Sequence, residues 1–129
     1  NFDIPNHQLH LADFFNESFG ATDANSSNDD FFKTMHGRVF IPLNPPYGLR
    51  LNVTPEKGLA LDLYSKIGDK LSKMKKQFGK KIKYMEGCIL CPSEAQWKDF
   101  LNALPAEAKT HTHHFSQGGM DIRLVTFLF

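Results

Sequence analysis

The strongest constraint on this chain is the order in which two apolar rhythms alternate along it. A β-branched and aromatic run at residues 38–41 is cut off by Pro42 and reads as a buried strand whose last residues leave the ladder. A helical rhythm follows. Thr54 can cap a helix, Pro55 suits its first position, and Glu56 places an acid at its positive end. Leu59, Leu63, Ile67, Leu71, Met74 and Phe78 then recur every three or four residues, with Lys66, Lys70, Lys73 and Lys76 largely outside that stripe. The spacing predicts a helix over 55–78, stopped by Gly79. A second apolar run, 84–91, reads as a buried strand ended by Pro92 and Ser93. Ser93 with Gln96 forms a capping box for a helix that reaches about 101 and closes before Pro105. Residues 109–115 alternate, Gly118-Gly119 makes a turn, and 121–127 form a last strand, so the end of the chain reads as an antiparallel hairpin. Strands and helices in alternation predict an α/β fold: parallel strands under helical cover, with the hairpin adding one antiparallel strand.

Composition sets the outer limits. The 129 residues have room for one domain, and 41% apolar with 22% charged residues excludes disorder as the dominant state. No apolar run approaches the ~20 residues of a membrane span, so no membrane partner is expected. Two cysteines exclude a disulfide scaffold, and a reducing cytoplasm is the default compartment. The net charge of +1 conceals an uneven distribution. Residues 1–30 carry six acids and no Lys or Arg, whereas 66–83 carry eight Lys and one acid. Residues 8–13 alternate and read as a short strand, 20–30 as a polar loop, and 31–36 as a helical turn. The organisation is therefore one unit, with an acidic strand and loop segment over 1–36 and a main α/β unit over 37–129.

Chemistry concentrates in Asn44-Pro45-Pro46-Tyr47-Gly48, directly after the strand at 38–42. In an open α/β sheet, ligands bind beyond the carboxyl ends of the strands. The residue types suit an amine substrate. The Asn side-chain carbonyl accepts a hydrogen bond from an –NH₂ group, and Pro45 presents a carbonyl from a backbone of fixed φ. Two acceptors converging on one amine turn its lone pair away from them, toward an electrophile. Tyr47 offers a flat face for stacking a base.

On these residues the chain resembles the S-adenosylmethionine-dependent methyltransferases that act on exocyclic or amide nitrogens. The longer stretch from Asn44 through Gly48 and Arg50 to Leu51, with Leu63-Tyr64 in a helix and the closing hairpin, is most similar to the ribosomal RNA guanine-N2 enzymes. The resemblance runs from about Leu9 to the last residue. It implies a Rossmann-like methyltransferase fold of which this chain is the C-terminal half. It also implies a catalytic loop at Asn44, Pro45, Pro46 and Tyr47, with S-adenosyl-L-methionine as cofactor and RNA, most closely ribosomal RNA, as partner. Asp13, with Phe14 beside it, falls where the family binds the cofactor adenine, and Asn44 adjoins the cofactor too. Tyr47, Gly48 and Arg50 fall where substrate approaches. Adenine-N6 and protein-glutamine methylation use the same loop and are the competing activities.

One departure matters. The family cradles the cofactor's methionine part in a Gly-rich loop after its first strand, yet none of the nine glycines here forms a Gly-x-Gly. The expectation is a half-domain that is inactive alone, with a non-catalytic half-domain as the alternative. The strand at 38–42 would pair with the family's absent first strand, so its open edge is expected to drive self-association or a rearrangement of 1–35. Other motifs read more simply. Cys88 and Cys91, three apart in a strand, face opposite sides and read as core thiols. His111 and His113 share a strand face, but no third ligand is near in sequence and no metal is expected. The lysine run reads as a solvated helix face, with RNA phosphates as the alternative.

Overall fold

The computed structural model describes residues 14–15, 35–45 and 62–129. Their elements run β1 (Gly37–Leu43), α1 (Leu63–Gln77), β2 (Ile82–Cys91), α2 (Glu94–Ala103), β3 (Lys109–Gln117) and β4 (Met120–Leu128). The four strands form one sheet in the order β1-β2-β4-β3. β1 pairs parallel to β2, and β4 pairs antiparallel to both β2 and β3. β4 alone therefore runs against the others, and its insertion between β2 and β3 puts the last strand inside the sheet. The hairpin turn at Gly118 and Gly119 has φ of 59° and 78°, the left-handed region that glycine enters without a Cβ clash.

Both helices pack on one face of the sheet. The stripe foreseen for α1 is buried at Ile67, Leu71 and Met74, with Phe78 just past its end. It joins Met85, Ile89 and Cys91 of β2 and Val125 and Phe127 of β4 in a single core with Phe100 of α2. The helices cross closely because Gly68 lacks a side chain: a Cβ there would stand 2.6 Å from that of Ala103. Ser72 fastens the crossing by donating to the carbonyl of Ala103 at 3.1 Å. A second glycine, Gly87, lets the Phe127 ring lie directly over β2, and a Cβ there would collide with that ring and with the Ile41 carbonyl. The buried Tyr64 hydroxyl donates to the Leu90 carbonyl at 2.8 Å and so fixes the start of α1 to the end of β2.

Several expectations are adjusted. The helix foreseen over 55–78 does not run unbroken: it starts at Leu63, with Asp62 outside it at φ −121°, ψ 11° and no side-chain cap bond. The Thr54-Pro55 start lies outside the described residues, as do the strand at 8–13, the loop at 20–30 and most of the turn at 31–36. The capping box forms as read, with the Gln96 backbone N–H donating to Ser93 Oγ at 3.2 Å. The run 84–91 is not buried throughout. It alternates, with Met85, Gly87, Ile89 and Cys91 buried and Cys88 and Leu90 only half-buried. The reason lies in the second face of the sheet, over which no described residue forms a layer. Phe40 is 62% exposed there and Tyr84 43%. An ion pair from Arg38 Nε to Glu86 at 2.9 Å crosses it, and Arg38 also lies over the Tyr84 ring at 5.6 Å.

Candidate active site

β1 carries the start of the motif, Asn44-Pro45, to the carboxyl end of the sheet. Pro42 and Leu43 lead into Asn44, which is exposed, and Pro45, which is buried. Phe14 and Phe15 come to the same place, their rings 5.4 Å apart and nearly perpendicular. These two rings, Asn44, Pro45, and Leu63 and Ile67 from α1 line a hollow of about 210 Å³. Phe14 also packs on the main core, which anchors a residue far from β1 in sequence at the end of β1. Of the residues foreseen for the site, the structure thus brings Phe14, Asn44 and Pro45 together. Asp13, Pro46, Tyr47, Gly48 and Arg50 lie outside the described residues. The sequence reading missed Phe15, Leu63 and Ile67 as walls of this hollow. The aromatic pair Phe14-Phe15 was the available signal, since two adjacent large rings must find an apolar neighbour to be covered.

The hollow has one polar edge, Asn44, and aromatic and aliphatic walls. Such a slot suits a flat heterocycle held by stacking, with an amide at its rim to accept or donate one hydrogen bond.

A second cluster stands farther along the same end of the sheet. Leu43 pairs with Ile89, Cys91 with Arg123, and Arg123 with His114. Cys91, Arg123 and His114 therefore fall on one row, two residues past the point where β1 ends opposite Ile89. The Arg123 guanidinium lies 5.6 Å from the Trp97 ring, and that ring meets His114 edge-on at 6.4 Å. Trp97 is held in turn by its Nε1–H, which donates to Thr112 Oγ at 3.0 Å. Arg123 Nε is buried and has no hydrogen-bond partner. His114, Ser116, Asp121 and Arg123 line a hollow of about 330 Å³. This convergence was not foreseen, because it depends on strand register and not on spacing along the chain.

The two cysteines differ in position. Both are free thiols, Cys88 half-buried and Cys91 buried. Burial pushes the Cys91 thiol up to about 12, against a smaller opposing pull from Arg123. At neutral pH it is neither nucleophile nor ligand. At the exposed start of α2, a hydrogen bond from Lys98, at 2.9 Å, holds the Glu94 carboxyl below its ordinary value, aided by that lysine's charge. His111 and His113 do share a face, with rings 4.4 Å apart. Among the described residues no three His, Cys, Asp or Glu side chains are grouped to hold a metal ion, and no helix is long and apolar enough to cross a membrane.

No protein-family model, no curated protein and no solved structure matches this chain.

Proposed function

We propose that this chain supplies the methyl-acceptor half of an S-adenosylmethionine-dependent N-methyltransferase acting on RNA, with an exocyclic base nitrogen, guanine N2 first among them, as the target. The observation that carries the reading is the meeting of Phe14 with Asn44 and Pro45 at the carboxyl end of β1. A sequence resemblance placed an adenine-binding segment and an amine-orienting loop at positions some thirty residues apart, and the fold puts Phe14 and the start of that loop around one hollow. The mixed sheet with one reversed strand from a terminal hairpin supports the same reading.

The residues divide the work. Phe14 would lie against the cofactor adenine, with Asp13 beside it in sequence. Asn44 Oδ1 and the Pro45 carbonyl would accept the two N–H bonds of the target amine, which directs its lone pair outward. Tyr47 would stack the base, which must be unpaired or flipped out to reach the loop. Bound S-adenosylmethionine would supply an electrophilic methyl group: the N–C bond would form as the sulfur–methyl bond breaks to leave S-adenosylhomocysteine, and the nitrogen would lose one proton to water. The fit is to the adenine side only. No Gly-x-Gly is present for the methionine side, and the apolar second face of the sheet is bare among the described residues. The missing loop favours a half-domain that needs a partner half, in the same polypeptide or another, to hold the cofactor.

Two measurements test this. Labelled methyl should pass from S-adenosylmethionine to unmethylated ribosomal RNA with the polypeptide that the gene encodes, and transfer to DNA or protein alone would contradict the RNA assignment. Calorimetry with the 129 residues alone should show binding weaker than micromolar. Micromolar binding would overturn the half-domain reading and leave the acceptor loop standing.

A further inference from the structure

We propose that the Arg123–Asp121 edge of β4 reads a guanine base of single-stranded RNA that flanks the target nucleotide. The inference rests on the RNA-methyltransferase reading for its class of substrate and on separate residues for its chemistry.

Positions 121 and 123 lie on the same face of β4, about 7 Å apart along the strand, and both line the 330 Å³ hollow. Among the described residues no ion pair joins them to each other or to a third residue. A forked donor and a carboxylate therefore stand side by side with capacity to spare. Arg123 is further set apart by its buried Nε, which lacks an acceptor, while the guanidinium plane is held over Trp97. The Arg123 and Asp121 charges that line the hollow are opposite in sign, so a bare phosphate gains little there. A neutral ligand with acceptors and donors along one edge gains most.

Among the four bases, guanine alone sets two N–H donors, N1 and N2, next to a carbonyl acceptor, O6, on its pairing edge. Arg123 donates to O6, and the Asp121 carboxylate accepts from N1–H and N2–H. RNA bases are read in this way when they are unpaired. β2 stands between β1, which ends at Leu43 just before the acceptor loop, and β4, so two strand spacings, about 10 Å, separate β1 from this edge. That distance makes the base a neighbour of the target and not the target itself.

The test is fluorescence anisotropy with the 129-residue chain and three single-stranded uridine-rich heptaribonucleotides, whose central residue is guanosine, adenosine or inosine. No cofactor is added and no methyl is transferred, so this measurement and the methyl-transfer assay can fail independently. Guanosine should bind at least tenfold more tightly than adenosine. Inosine, which lacks the N2 amine, should lose most of that advantage. Asp121→Asn should bring guanosine and inosine within about threefold of each other, and Arg123→Gln should weaken guanosine binding fivefold or more. Asp121 is exposed, so its variant tests the proposal even if Arg123→Gln disturbs Trp97 packing. Equal affinity for all three oligonucleotides, no binding to any, or a guanosine preference that Asp121→Asn leaves intact would overturn the proposal.

Discussion

The two faces of the sheet differ more than any two elements of the chain. One face is sealed: Met85, Gly87, Ile89 and Cys91 meet Val125 and Phe127 beneath two helices, with glycines at the points of closest approach. The other holds Phe40, Tyr84, Cys88, Leu124 and Leu128 with no layer of described residues above them. A groove of about 460 Å³ runs across it beside Glu86, Lys109 and His111. In this sheet β1 and β2 pair parallel while β4 pairs antiparallel with β2 and β3, and antiparallel ladders can keep one face open. Among the described residues, packing is thus concentrated on one side, and the other side carries no second layer.

Mutations on the two faces should therefore behave oppositely. The largest effect belongs to Gly87→Ala, whose new methyl group meets backbone on one side and a buried ring on the other. Loss of cooperative urea unfolding is expected, a cost above about 3 kcal/mol. Phe100→Ala, which empties the space under the Phe127 ring 5.6 Å away, should cost about 3–5 kcal/mol in the same assay. Tyr64→Phe removes one buried hydrogen bond and leaves the Leu90 carbonyl short of a donor, so about 1–2 kcal/mol should be lost. On the bare face, Phe40→Ser should change stability by less than about 0.5 kcal/mol, while sedimentation shows reduced self-association. A Phe40→Ser variant as damaged as Phe100→Ala would break the comparison.

Cys91 sharpens the comparison through pH. Its folded value of about 12 lies above the ordinary 9.0, so the neutral thiol of the folded state is favoured. Its stabilising contribution is complete below pH 9 and is lost as pH rises from there toward 12, by up to about 1.4 kcal/mol per pH unit. The wild type should lose stability faster than Cys91→Ala between pH 9 and 11. Parallel curves would mean that the thiol is not sealed as described.

What was legible in the sequence was local. Ser93 with Gln96 announced α2, the alternation of 109–115 and 121–127 announced the hairpin, and the Ile67–Phe78 spacing announced the core face of α1. The break at Asp62 was not legible, because the apolar spacing runs through it unchanged, and the Thr54-Pro55-Glu56 start lies outside the described residues. Half-burial of Cys88 and Leu90 was invisible, since an apolar run carries no mark of which face is covered. At the site, the Asn44-Pro45 loop was read from its place after a strand. Trp97, His114, Asp121 and Arg123 were not, because only the β2-β4-β3 register brings them together.

The most direct test of the acceptor-loop assignment is the turnover of Asn44→Ala in the polypeptide that the gene encodes, measured as labelled methyl transferred from S-adenosylmethionine to RNA. If Asn44 orients the amine, kcat should fall by a hundredfold or more, about 3 kcal/mol of transition-state stabilisation, with the thermal unfolding midpoint unchanged because the side chain is exposed. Turnover that survives Asn44→Ala at the wild-type rate would contradict the account.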